Sequence, residues 1–371
     1  MNQEAFLALV RAGLWEKDVE LRKYGTADFD EIKRLAEEQS VVGLVAAGLE
    51  HVVDAKVPKE FVLQFIGLAL QIEQRNKDMN AFAARLLDKL HKEDIYAILV
   101  KGQGVAQCYE KPLWRTSGDI DLLLDQKDYD KAKQFLLPIA SSVGQEAKSI
   151  MHLGLVIDSW DLELHGSLRS VFLPQMDNVV ETILKKDLLS NNVRIWNNNS
   201  VDVFLPEINS DCIIVFTHII KHFFHGGIGL RQLCDWCRLL WYYKEEVDIL
   251  LLENRLGEMG LLTEWKAFAS LAVDYLGMPN DAMPLYVPEK RWKQKASRIL
   301  SFILDTGNFG HNRDMTYYST RPFIVRKTIS LWRHTSDSFR RLYIFPKDST
   351  LVWLRLFNKG IIAVLNRNGH D

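Results

Sequence analysis

Four cysteines in a chain of 371 residues are too few to frame a fold with disulfides, which excludes the disulfide-rich secreted class. No apolar run approaches the ~18 residues that a membrane-spanning helix needs. The opening stretch, MNQEAFLALVRAGLWEKD, lacks a basic start followed by an apolar core, so no export signal is expected. Internal repeats and low-complexity tracts are missing too. With 47% apolar and 25% charged residues, the composition is that of a globular protein and not of a disordered one. A cytoplasmic protein is the expectation. The length exceeds the usual size of a single core, so two or three units are expected.

Charge is nearly balanced overall, at −2, but unevenly spread. Residues 291–371 carry 15 Lys and Arg against 5 Asp and Glu, a net of +10, and the rest of the chain is correspondingly acidic. Aromatics interleave with this basic segment: Trp292, Trp332, Phe339, Tyr343, Phe345, Trp353 and Phe357. Such a tail suits nucleic acid or an anionic membrane surface. Near-neutrality and the lack of a dense basic cluster favour a different expectation, that the tail docks on the acidic body of the same protein.

What is present, and most informative, is Gly118-Asp119-Ile120-Asp121-Leu122. Successive strand side chains point to opposite faces, so Asp119 and Asp121 share one face while Ile120 and Leu122 turn to the core. Two carboxylates held that close repel, and a cation is the simplest compensation. A hard divalent ion such as Mg2+, or Mn2+ in its place, prefers these oxygens and keeps waters for a phosphate-bearing substrate. Upstream, Tyr96–Val100 reads as a strand and Lys101-Gly102 as a turn, with a short helix beginning at Gln103. Gly102 lets the backbone approach phosphate oxygens, and the helix start offers unpaired N–H groups. Lys101 or Arg115 could neutralise phosphate charge; equally, Lys101 could be a solvated strand end and Arg115 a clamp on the acidic cluster. Ser117 suits the turn itself or a phosphate contact.

A third acid is expected on a neighbouring strand. Residues 149–157 and 161–165 read as a hairpin around Asp158-Ser159-Trp160, with Asp161, Glu163 and His165 on one parity and Leu162 and Leu164 on the other. Glu163 is the preferred ligand and Asp161 the alternative. Residues 1–92 read as helices, including a long one near 59–92, and Asp28–Glu31 as a helix start. A second hairpin is expected over 194–204, and helices from Ser210 to about Gly277.

Lys101-Gly102 followed by Arg115-Thr116-Ser117-Gly118-Asp119-Ile120-Asp121-Leu122 resembles the nucleotidyltransferase superfamily built on the DNA polymerase beta core, and more narrowly an uncharacterised bacterial branch of it. Gln103 stands where the widespread pattern has Ser or Gly. The resemblance implies an α+β fold: a small mixed sheet with helices, flanked by N- and C-terminal helical regions, with units at 1–92, 93–205 and 206–371. It implies transfer of a nucleoside monophosphate from an NTP, with Asp119, Asp121 and Glu163 holding two Mg2+ ions. Lys101, Gly102, Gln103, Arg115 and Ser117 would then sit around the nucleotide. The acceptor is left open among small molecules, proteins and RNA. A fold retained only for nucleotide or partner binding, without turnover, is the alternative.

His218, His222 and His225 fall on one helix face at i, i+4, i+7, followed by Cys234-x2-Cys237. One reading is a zinc site, another is a pair of small buried hydrophobes. The resemblance implies a third, in which Lys221, His222 and Arg231 bind nucleotide phosphates or the acceptor and Asp235 orients Arg231. The remaining possibility is that these residues only join two helices.

Overall fold

The structure is a computed structural model that describes residues 2–171, 173–190, 192–310 and 322–367. Its first part is helical: α1 (Asn2–Trp15), α2 (Phe29–Glu38), α3 (Val42–Leu49) and α4 (Lys59–Lys92). Asp28 caps α2 through its side chain, which accepts from the Asp30 and Glu31 N–H groups. α4 supplies the floor on which the sheet is laid.

The middle part contains β1 (Ile98–Val100), α5 (Gly102–Ala106), β2 (Ile120–Leu123), α6 (Gln126–Leu136), β3 (Ser142–Val143), β4 (His152–Ile157), β5 (Trp160–His165), α7 (Pro174–Ser190), β6 (Val193–Asn198) and β7 (Val201–Pro206). Five strands form a mixed sheet in the order β1-β2-β5-β4-β3, with β2 parallel to β5 and the other pairs antiparallel. The β4–β5 turn has no Asn-Gly, yet Asp158 and Ser159 both adopt the left-handed conformation that a tight hairpin turn demands (φ 49° and 68°). Asn199 and Ser200 do the same between β6 and β7. That second hairpin is a separate two-stranded sheet and does not extend the first.

The remaining helices are α8 (Ile208–His225), α9 (Leu230–Tyr242), α10 (Ile249–Met259), α11 (Leu262–Asp274), α12 (Lys290–Thr306), α13 (Phe323–Leu342) and α14 (Pro346–Arg367). Among the described residues, no helix is long and apolar enough to cross a membrane.

Two hydrophobic clusters position the site. One lies under the sheet, where Leu99, Ile120, Leu122, Leu153, Leu162 and Leu164 meet Phe82, Leu86 and Leu90 of α4 and Tyr129 of α6. The other joins the N-terminal and C-terminal helices, and Ile98, Val100 and Leu123 reach it from the opposite face of the sheet. Alternation thus sends the leucines down and leaves Asp121, Glu163 and His165 on the face turned toward the helical body. Helices therefore cover both faces, and the cleft lies between β2 and α8.

The basic segment divides in two. Trp292, Ile344, Phe345 and Val352 are buried in the helical cluster, whereas Trp332, Phe339 and Tyr343 are exposed. Among the described residues, three of its cations cap carbonyls: Arg341 donates to the Phe223 oxygen (2.8 Å), Arg298 to that of Tyr343 (2.7 Å) and Lys295 to that of Ile344. Arg340 pairs with Asp305, a residue of the same segment. Arg291 pairs with Glu289, just outside the segment. The stretches 311–321 and 368–371 of the segment lie outside the described residues.

Candidate active site

Register brings the acids together. Asp121 on β2 is the direct neighbour of Glu163 on β5, and Asp119 sits one residue before β2 begins. Asp119, Asp121 and Glu163 each offer an oxygen, all within 4.8 Å of one another. An all-oxygen donor set of this kind suits a hard divalent ion. Asp161 points along the same parity but lines only the outer groove.

Two side chains act as counter-charges to these acids. Lys101 Nζ lies 2.8 Å from Asp121 Oδ1, and His165 Nε2 lies 2.8 Å from the same oxygen. Lys101 reaches it from the turn after β1, where it holds φ at 60° and Gly102 follows at 38°. A non-glycine residue in that region is strained, and strain of this sort gathers at functional turns. His152 Nε2 lies 3.1 Å and His165 Nε2 3.3 Å from Glu163 Oε2.

The electrostatics follow from this arrangement. Burial opposes ionisation of Asp121, but Lys101 and His165 hold its carboxyl down at about 2. Hydrogen bonds from His152 and His165 hold Glu163 well below the usual carboxylate range. Burial works against a charged His165, yet its bonds to Asp121 and Glu163 outweigh it and raise the imidazole. Asp119, without such partners, is pushed up by burial and by its neighbour Asp121.

α8 and α9 supply the opposite wall. A cavity of about 250 Å³ is lined by Lys101, Gly102, Asp119, Asp121 and Glu163 on the sheet side and by His218, Lys221, His222 and Arg231 on the helix side. Burial lowers the Lys221 ammonium, and the neighbouring Lys101 adds to it. Burial and Lys221 push His222 down to about 3, so its ring is neutral at ordinary pH. Arg231 donates to the Thr116 carbonyl (3.0 Å) while its Nε is buried without a hydrogen-bond partner. Burial and the nearby Arg115 lower its pKa. An anion would satisfy both Arg231 and Lys221. A shallower groove of about 480 Å³ adjoins the cavity over β3, β4 and β5, and Gly118, Asp119, Glu163 and Arg231 line both spaces.

Several expected contacts are directed elsewhere. Gln103 is buried and turned from the cavity; its amide donates to Asn80 Oδ1 (2.7 Å) and its oxygen accepts from Ser117 (2.7 Å). Ser117 Oγ also lies 2.5 Å from Asn76 Oδ1, so its single hydrogen serves one of the two amide oxygens at a time, and Asn76 donates to the Leu113 and Arg115 carbonyls. Gln103 and Ser117 therefore build the turn from below. Asp235 does not orient Arg231: it takes a two-pronged ion pair from Arg115 (2.7 Å at each oxygen) and a bond from Tyr109 (2.8 Å). Arg115 lines the cavity but is a clamp between the acidic strand and α9, and Asp235 raises its pKa against the effect of burial. Cys234 and Cys237 are fully buried in the helical cluster, and among the described residues no metal-competent group joins them to the histidines. His225 is outside the cavity lining, its ring tilted against that of His334 at 5.8 Å between centroids.

The residues that sequence reasoning missed are His152 and His165. His165 shares the parity of Glu163, which is a visible signal; His152 has none, because only the β4–β5 register sets it opposite His165.

A family model described as an uncharacterised nucleotidyltransferase matches residues 25–277. No curated protein and no solved structure matches the chain. The match spans well over half of the sequence, so the chain belongs to this nucleotidyltransferase family and is a transferase enzyme.

Proposed function

We propose that the protein transfers a nucleoside monophosphate from an NTP to an acceptor, on a core of the DNA polymerase beta type. The observation that carries this reading is the position of the acids: Asp119 and Glu163 stand on the boundary shared by the cation-lined cavity and the groove. In-line displacement needs such a boundary, with the leaving group on one side of the reacting phosphorus and the nucleophile on the other. The mixed sheet supports the core assignment, since its acids lie on two adjacent parallel strands behind a Lys-Gly turn.

Phosphates enter the cavity in this reading. Lys221 and Arg231 bind them, because both are half-buried cations lining the cavity and Arg231 has an N–H left to give. Gly102 at φ 38° allows close backbone approach from below. Asp119, Asp121 and Glu163 hold divalent metal, Mg2+ or Mn2+, which when bound neutralises developing phosphate charge and lowers the pKa of the attacking group. Lys101 and His165 neutralise Asp121 otherwise, keeping the acids together despite their mutual repulsion. Neutral His218 and His222 shape the cavity without adding charge. The acceptor approaches along the groove over β3–β5, whose floor is open at Gly154, where an added Cβ would touch nothing.

The test is incubation of the protein with each α-labelled NTP, Mg2+ or Mn2+, and a cell lysate. Label should pass to an acceptor with release of pyrophosphate, and Asp121→Asn should prevent it. Metal-dependent release of inorganic phosphate in place of pyrophosphate would refute this reading.

A further inference from the structure

His152 and His165 are cross-strand partners on β4 and β5, and Glu163 lies opposite Gly154, two residues along. Because Gly154 has no side chain, the Glu163 carboxylate is free to lean across β4. Both imidazoles aim Nε2 at its one oxygen, from 3.1 Å and 3.3 Å. His165 Nε2 is also 2.8 Å from Asp121 Oδ1. Two imidazole nitrogens and a carboxylate oxygen thus converge on one point of the sheet face, with His165 placed between the two acids. Ligand atoms around an ion with bonds of roughly 2.0–2.2 Å lie about 3.0–3.5 Å apart, and both nitrogen-to-oxygen separations here, 3.1 Å and 3.3 Å, fall in that range.

We propose that His152, His165 and Glu163 form a second metal position that takes a first-row transition ion such as Zn2+, beside the all-oxygen position of Asp119, Asp121 and Glu163. The three donor atoms lie within 4.8 Å of one another. Imidazole nitrogen discriminates in favour of Zn2+ and its neighbours, whereas Mg2+ prefers oxygen alone. The two positions therefore differ in metal preference although they share Glu163, so this inference rests in part on the reading of Glu163 given above. His152 is half-buried and lines the cavity, which gives an ion a way in.

Equilibrium dialysis of the full chain against Zn2+ alone, without nucleotide, tests this directly. The wild type should bind Zn2+, and His152→Gln should weaken it roughly tenfold or more with an unchanged circular dichroism spectrum, since even supporting residues of metal sites cost 10–100-fold. Asp119→Asn should keep Zn2+ and lose Mg2+-dependent NTP binding. Substitution with Co2+ needs no variant: nitrogen ligation at low coordination gives strong visible bands, and an all-oxygen six-coordinate site only faint ones. Equal Zn2+ affinity in wild type and His152→Gln, or faint Co2+ bands alone, would overturn the second position. Retained Mg2+-dependent NTP binding in Asp119→Asn would instead count against the carboxylate position, and the two failures are thereby distinct.

Discussion

Asp121 and Glu163 face each other directly across the parallel ladder of β2 and β5, and His165 contacts both. The pair concentrates negative charge on two adjacent strands, and Lys101 with the two imidazoles balances it. Whatever binds there must compete with those partners.

Asp121→Asn should reduce NTP turnover by more than the ~100-fold that loss of a supporting metal-site contact typically costs. It removes the charge that Lys101 and His165 both answer. Steady-state rates across Mg2+ concentrations, with circular dichroism to verify folding, check this. Turnover within a few-fold of wild type at saturating Mg2+ would remove Asp121 from the metal site.

Asp235→Ala should destabilise the fold by about 3–5 kcal/mol, because it strands the buried Arg115 guanidinium without its counter-charge. Urea unfolding measures the loss. A variant as stable as wild type would mean that the ion pair is no clamp.

Arg231→Met should weaken NTP binding while stability holds or rises. Burial of this guanidinium is only partly offset, by the bond to Thr116, and its Nε lacks a partner. Isothermal titration with NTP and a urea midpoint read the two effects separately. Lower stability with unchanged NTP affinity would assign Arg231 to holding α9 instead.

Burial first, then the neighbouring Asp348 of α14, push the Glu264 carboxyl on α11 up to about 8. The folded protein therefore holds a proton there that the unfolded chain releases near its ordinary value of 4.5. The contribution of Glu264 to stability should be full below that lower value, fall as pH rises toward about 8, and level off above. Urea midpoints across neutral and mildly alkaline pH should show this decline, and Glu264→Gln should flatten it. A decline undiminished in the variant would place its origin elsewhere.

Phe345→Ala should cost about 3–5 kcal/mol, since the ring is buried against Phe223, Phe224 and Phe268. Truncation before Arg291 should accordingly impair folding itself, because it strips Trp292, Ile344 and Phe345 from the helical cluster. A truncated chain with wild-type stability would make the segment an appendage.

The sequence by itself determined the local elements and the acids. Alternation at Ile120 and Leu122 around Asp121 dictates which side faces the core, and the capping by Asp28 and the long apolar periodicity of residues 59–92 locate helices, because these signals act within a few residues. Partner choice was decided only by the tertiary structure. Arg115 could have met a phosphate or an acid; α9 places Asp235 within reach, and two buried charges that can pair do so. Gln103 left the cavity because Asn76 and Asn80 of α4 satisfy its amide from below. Cys234 and Cys237 resemble metal ligands in spacing, yet α9 packs them into an apolar cluster, away from the histidines. His152 became part of the site through the β4–β5 register alone. Spacing along a chain fixes which side chains share a face, whereas contacts between residues distant in sequence depend on how elements dock, and docking is set by the total burial and not by any single motif.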